Sequence, residues 1–292
     1  MAQPFIWAAI VAFRSLCNAL PHERALSLGA LLGRAVEKLS TKRVGKARAR
    51  CERILGVSPD EARGIISGAY SHFGRSLVEF LRLPRMIGHI EELVTIEGEE
   101  HLRRAMEKGR GAIFLSAHIG NWEYGAALLA HRGFPLNAIG ARQRDERITQ
   151  AIADLRMSAG VKPLAKGLGL KGAVSCLRAG EILAVLLDQD ARDAGIVSPF
   201  LGFPASTPTG PIRLARKFGC PVLPARVIRM PDGVRFQMTI DPPLEGAGGE
   251  PFGEDVQHAA DRCNGTISSW IRHTPDQWLW MYPRWATTLG DR

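Results

Sequence analysis

The hydrophobic period of this chain changes near residue 94, and that change limits the folds open to it. From residue 22 to 84 the apolar residues recur at mixed spacings of three and four, with Leu26, Leu28, Leu31 and Leu32 followed by Ile65, Ile66, Phe73, Leu77 and Phe80. Such spacing lays an apolar stripe along a helix. Beyond it the apolar runs are short: VTIEG (94–98), GAIFLS (111–116), PLNAIGA (135–141), ILAVLLD (182–188) and CPVLPARVI (220–228), most of them separated by helix-like segments. That alternation is what a largely buried sheet in an α/β fold requires. In VIRMPDGVRFQMTI, PDG lies between two alternating runs and marks a hairpin, so the sheet is expected to be mixed. The expected architecture is α/β: a mixed, mostly parallel central sheet flanked by helices, behind a helical N-terminal segment. The division is expected at 1–90, helical and membrane-associating, and 91–292, α/β, the two forming one continuous structural unit. Pro and Gly thicken around 195–211 and 242–253, which read as loops.

Within the helical part, SPDEA (58–62) is a start signal, with Ser58 as cap, Pro59 in the first turn and Glu61 three residues after the cap. Ahead of it, TKRVGKARARCERI carries Lys42, Arg43, Lys46, Arg48, Arg50 and Arg53 against the single acid Glu52. It reads either as a solvated helix face or as a surface for anionic head groups. The apolar stretch from Pro4 to Phe13, ended by Arg14, is short of the roughly 20 residues that span a bilayer. It has no basic region before it and no clear small-residue cleavage site, so a removable signal peptide is not expected. An interfacial helix and an ordinary packed first helix both remain open.

The balance of 38 Lys+Arg against 29 Asp+Glu gives a net charge of +9, which fits anionic membrane surfaces, nucleic acid or acidic carrier proteins. Five scattered cysteines without a CxxC pair argue against a disulfide framework or a zinc site, and suit a reducing cytosol.

The chemistry concentrates in LSAHIGNWEY (115–124). His118 and Glu123 are five residues apart, a step of about 140° on a helix, so cooperation between them requires a turn. With GAIFLS as a strand ending at Ala117 or His118 and WEYGAALLAHR starting a helix, His118 stands at the C-terminal edge of the sheet, where α/β folds place ligands. Gly120 permits the turn, Asn121 caps the helix, and the bend is expected to bring Glu123 against the imidazole. A carboxylate on one ring nitrogen leaves the other free to take a proton. The plainer alternative is a satisfied loop histidine and a first-turn acid favoured by the helix dipole.

Ser116 lacks a GxSxG elbow. GLGLKG (167–172) matches GxGxxG by letter, but no convincing strand delivers it. No Walker sequence and no HExxH occur, and neither cofactor nor metal is expected. DQD (188–190) follows ILAVLL, so Asp188 and Gln189 also emerge at a strand end, either to bind an acceptor or to cap a loop. The tryptophans of WLWMYPRW (278–285) suit a closing core segment better than an interfacial belt.

These blocks, in this order, resemble the bacterial lipid A biosynthesis acyltransferases, a branch of the lysophospholipid acyltransferase superfamily. The resemblance covers nearly the whole chain. It rests on HIGNWE (118–123), LRMSAGVKPL around Arg156, LLDQ (186–189), FLGFPASTPTGPIRLARKFGCPVLPARVIR (200–229) and PDQWLWMYPRW. It implies an enzyme that moves a fatty acyl chain from acyl carrier protein to a hydroxyl of a glycolipid at the cytoplasmic face of the bacterial inner membrane. His118 would be the general base and Glu123 its orienting partner, with no covalent acyl-enzyme. Backbone N–H groups of the turn are expected at the oxyanion. Arg156 would hold a phosphate or the developing charge, and Asn121, Asp188 and Gln189 would support the substrate. Acyl carrier protein, the glycolipid acceptor and a membrane surface are the expected partners, and nucleic acid is not. Cys51 and Glu52 stand where the family commonly has an asparagine-leucine pair, and Tyr282 and Pro283 where it has a basic residue or histidine before the final Arg-Trp. These departures leave the acceptor lipid open. A lysophospholipid or another glycolipid is the alternative acceptor, and a non-catalytic basic protein is the remote alternative.

Overall fold

The change of period near residue 94 is the boundary between two kinds of structure. A computed structural model of the chain describes residues 3–165, 169–245 and 255–291. Four long helices come first, α1 (Gln3–Ala19), α2 (His22–Leu39), α3 (Thr41–Leu55) and α4 (Pro59–Leu81), followed by the single turns α5 (Leu83–Met86) and α6 (Ile90–Leu93). Strands and helices then alternate: β1 (Val94–Glu97), α7 (Glu99–Glu107), β2 (Ala112–Ser116), α8 (Trp122–His131), β3 (Leu136–Gly140), α9 (Glu146–Ser158), β4 (Lys162–Ala165), α10 (Gly169–Arg178) and β5 (Ile182–Leu186). The chain closes with β6 (Ile196–Phe200), β7 (Phe203–Thr207), α11 (Gly210–Phe218), β8 (Val222–Arg229), β9 (Phe236–Ile240) and α12 (Val256–His273).

Seven strands form one sheet in the order β1-β9-β8-β2-β5-β3-β4. Only the β8–β9 pair, the hairpin turned by PDG, is antiparallel. β2 is central, and its alternate residues feed two different cores. Ile113 and Leu115 join a core with α3, α4, α11, α12 and the C-terminal tryptophans. Ala112 and Phe114 join one with α5, α6, α7 and α8. Both faces of the strand are therefore apolar, which is why its sequence shows an unbroken run. Trp278, Trp280 and Trp285 are essentially buried, so the core reading of WLWMYPRW holds.

The boundary chemistry is that of the sequence. Ser58 and Glu61 form a reciprocal capping box at the start of α4. In the basic helix α3, Val44, Ala47, Cys51 and Ile54 face inward. Arg50 faces inward with them, donating to the Asp291 carboxylate and the Trp280 carbonyl, so one cation of that run ties the helical segment to the C-terminus. Arg48 pairs with Glu37 at 2.8 Å, while Lys42, Arg43 and Lys46 are exposed.

One expectation needs correction. Residues 195–211 are not merely loop, because β6 and β7 pair antiparallel there across a turn at Leu201 and Gly202, both at positive φ. Pro199 and Pro204 oppose each other in register next to the closing pair Phe200 and Phe203, a non-hydrogen-bonded site where neither needs an N–H. The short edge strand β4 was also not foreseen. Of 242–253, residues 246–253 lie outside the described residues, as do 167 and 168 of GLGLKG.

The helical segment is locked by a backbone-on-backbone crossing of α2 and α4. A Cβ on Gly33 would sit 2.0 Å from the Tyr70 carbonyl oxygen, and one on Gly74 would sit 2.1 Å from that of Gly29. Gly74→Val is therefore expected to destabilise the protein by about 3 kcal/mol or more, since rigid backbone cannot yield as a side chain does. Gly45→Ala in α3, where nothing lies within 4 Å, is expected to be neutral or to stabilise by up to about 1 kcal/mol. Urea unfolding midpoints of the two variants check the contrast.

Candidate active site

His118 lies two residues beyond the last residue of β2, and Asp188 two beyond the last of β5. The two strands are parallel with Ser116 opposite Leu186. Equal overhang from equal register delivers both side chains to the same sheet edge at the same height. The Asp188 carboxylate meets His118 twice. One oxygen is 2.8 Å from imidazole Nδ1, and the other accepts the His118 backbone N–H at 2.9 Å and the Trp278 indole N–H at 2.8 Å. Asp188 is 2% exposed. Burial alone would raise its pKa, but the charge of His118, the imidazole and indole hydrogen bonds and the His118 N–H outweigh it and hold the carboxyl below the usual range. An ionised carboxylate only accepts, so Nδ1 carries a proton, and in the neutral ring Nε2 carries the free lone pair. Trp122 packs edge-on against the imidazole at 5.0 Å between ring centroids.

Glu123 does not fold back onto His118 as expected. It stands in the first turn of α8 and Arg156 in the last turn of α9, positions favoured by the respective helix dipoles. They pair with each other: the guanidinium donates to Glu123 at 2.6 and 3.1 Å, and the Trp122 indole N–H adds a bond at 3.1 Å. Burial works against the charge on Arg156, but the Glu123 hydrogen bonds and charge prevail and raise its pKa.

The turn between the two residues is clasped from outside. Gly120 has φ +57°, and a Cβ there would fall 1.6 Å from the Val227 carbonyl oxygen. Its N–H donates to the Gln277 carbonyl, and the Leu279 N–H donates to that of His118. Asn121 caps α8 by accepting the Tyr124 N–H, and its amide donates to Glu79. Asn121 is thus buried and committed within the protein, and Asp188 serves the imidazole; neither is presented to a substrate. The N–H groups of His118, Gly120 and Asn121 are likewise occupied, so three of the turn's expected oxyanion donors are already used.

Gln189, by contrast, lines the cleft. A cleft of about 820 Å³ is bounded by His118, Glu123, Arg156, Gln189, Arg192 and Tyr282. Beneath the Glu123–Arg156 pair a narrower hollow of about 50 Å³ runs between Phe114, Ala138, Ala184, Val227 and Met238. No cluster of metal-ligating side chains occurs among the described residues.

The cleft thus combines a histidine fixed by a buried carboxylate at a sheet edge, an ion pair and an apolar hollow. The sequence profile described as bacterial lipid A biosynthesis acyltransferase matches residues 1–287. The chain belongs to this family. Among its relatives are the phosphatidylinositol mannoside acyltransferase of Mycobacterium tuberculosis (strain CDC 1551 / Oshkosh), 28% identical over 84% of this chain and 78% of that protein. The lipid A biosynthesis palmitoleoyltransferase of Escherichia coli (strain K12) is 24% identical over 92% and 87%, and the lauroyltransferase of that organism is 25% identical over the same shares. The protein is an acyltransferase of this lipid A and glycolipid family.

Asp188→Asn keeps the volume and removes the charge that holds the imidazole. It is expected to lower kcat by about 10²–10⁴-fold, the usual worth of a working general base. Because the folded pKa of Asp188 lies below its ordinary value of 3.8, its stabilisation is complete above that value and is lost as pH falls through the lower folded value. Urea unfolding between about pH 5 and pH 2 should therefore show a shallower acid loss in the variant than in the parent.

Proposed function

We propose that this acyltransferase moves a fatty acyl chain from acyl carrier protein to a hydroxyl of a lipid A precursor or related glycolipid, with His118 as general base. The observation that carries the reading is the His118–Asp188 pair, with His118 lining the cleft of a family member. Nε2 takes the acceptor hydroxyl proton as the oxygen attacks the thioester carbonyl carbon. The tetrahedral intermediate collapses with cleavage of the C–S bond, and the imidazolium returns its proton to the departing thiolate. Asp188 stabilises the imidazolium, so it takes the orienting role expected of Glu123. Glu123 instead fixes Arg156, whose positive charge at the cleft serves the oxyanion or an anionic group of the acceptor. Gln189 helps to hold the acceptor in the same cleft. No enzyme residue is acylated.

The apolar hollow beneath Glu123 and Arg156 suits the first carbons of the acyl chain. Net charge of +9 suits an acidic carrier and a phosphorylated lipid. Relatives named for lipid A and for phosphatidylinositol mannoside both point to a glycolipid acceptor.

No helix among the described residues is long and apolar enough to cross a membrane. The reading is peripheral attachment at the cytoplasmic face of the inner membrane through α1 and α2, whose Ile6, Val11, Leu16, Leu31, Leu32 and Leu39 are exposed, Leu39 at 85%. Exposed apolar side chains in such number mark a contact surface.

His118→Ala is expected to abolish transfer from acyl carrier protein while the variant retains the parent's circular dichroism. Mass spectrometry of lipids from a deletion strain should show a glycolipid lacking one acyl chain; an unchanged glycolipid profile with an accumulated lysophospholipid would redirect the acceptor. A Leu31→Glu/Leu39→Glu variant is expected to sediment with anionic phospholipid vesicles at least about tenfold more weakly than the parent, since each change removes an apolar anchor and adds repulsion. Equal sedimentation would remove this face from the account.

A further inference from the structure

Behind the His118–Glu123 turn, on the side away from the cleft, lies a buried cluster of charged and polar groups. Glu79 is 0% and Arg229 6% exposed, and they pair in a fork with N–O distances of 2.5 and 2.7 Å. The oxygen of Glu79 that accepts the 2.7 Å bond also accepts the Asn121 amide. The Arg229 Nε–H points to His72 Nδ1 at 3.2 Å, and His72 Nε2 is 2.9 Å from the Gly120 carbonyl oxygen. Ser76 receives a further Arg229 N–H at 3.3 Å and lies 3.4 Å from His72 Nε2. Gln277, whose carbonyl holds the Gly120 N–H, is itself joined to the Arg229 backbone twice: its amide oxygen accepts the Arg229 N–H and its amide NH2 donates to the Arg229 carbonyl.

Arginine only donates, so Nδ1 of His72 accepts and its proton lies on Nε2, aimed at Gly120. Burial and then the charge of Arg229 push the His72 pKa down to about 3, which keeps the ring neutral. The turn is thereby gripped at the Gly120 carbonyl, at the Gly120 N–H through Gln277 and at the Asn121 amide, all by groups that converge on Arg229. A solvated loop would need none of this, and a bare structural ion pair would not aim its hydrogen bonds at one four-residue stretch.

We infer that Glu79, Arg229 and His72 are positioning residues that set the conformation of the catalytic turn, and with it the placement of His118 toward the acceptor hydroxyl. This rests on His118 being the base. The effect should appear in kcat, since misplacing a base by a fraction of an ångström costs rate rather than binding.

The test exploits reach. A glutamine at position 72 carries its amide to where Nε2 lies, and an asparagine stops where Nδ1 lies. His72→Asn is expected to lower kcat at least about tenfold with KM for both substrates within about twofold, whereas His72→Gln keeps at least about half of the parent kcat. Equal kcat for the two variants, per mole of folded enzyme, overturns the inference. Should neither variant fold, a neutron structure of the native enzyme must place the His72 deuteron on Nε2; a deuteron on Nδ1 overturns it. Running His118→Ala alongside separates the two readings. An active His118→Ala removes the base itself, while an inactive one beside equal His72 variants removes only the positioning role.

Discussion

The in-register parallel pairing of β2 with β5 is the constraint on which the site depends. It fixes the distance between the two strand ends at that of neighbouring strands, and the equal overhang of two residues then places His118 against Asp188. A slip of one residue would turn one of the two side chains to the opposite face. Register is held by burial on both faces, where Ile113 and Leu115 go to one core and Ala112 and Phe114 to the other. The hydrophobic effect that builds the sheet is thus also what aligns the His118–Asp188 pair.

Around that pair, charge is buried in compensated units. Glu123–Arg156, Glu79–Arg229 and Arg50–Asp291 each link elements far apart in sequence. Buried pairs of this kind add little net stability compared with apolar packing, but losing one partner leaves an uncompensated charge. Their value here is geometric. Arg50–Asp291 ties the helical segment to the C-terminus, Glu79–Arg229 ties α4 to β8 behind the turn, and Glu123–Arg156 ties α8 to α9 across the cleft. The helical segment is part of the framework of the site, because α4 supplies His72, Ser76 and Glu79.

Much of this was legible in the sequence. Apolar runs located β1, β2, β3, β5 and β8, PDG located the antiparallel hairpin, and Ser58 and Asn121 cap their helices as their residue types suggest. His118 was recognisable from its place behind an apolar run. Its partner was not, because spacing along the chain favoured the nearer carboxylate, Glu123, while the actual partner comes from a strand 70 residues away. The signal existed: Asp188 follows its strand at the same distance that His118 follows β2. Reading it required knowing that β5 inserts between β2 and β3, which local pattern cannot give. The Glu79–Arg229–His72 cluster was hidden for a similar reason, since three polar residues on an otherwise amphipathic α4 and on β8 look like surface until topology buries them. The β6–β7 hairpin escaped because its opposed prolines read as loop.

The central claim is that Asp188, and not Glu123, fixes the imidazole of His118 with its proton on Nδ1. Nitrogen-15 NMR of histidine-labelled enzyme, with the His118 signals assigned by their loss in His118→Gln, reports the tautomer directly. The account predicts a neutral ring protonated at Nδ1 that loses this preference in Asp188→Asn and keeps it in Glu123→Gln. A ring protonated at Nε2, or a tautomer that responds to Glu123 and ignores Asp188, would contradict it.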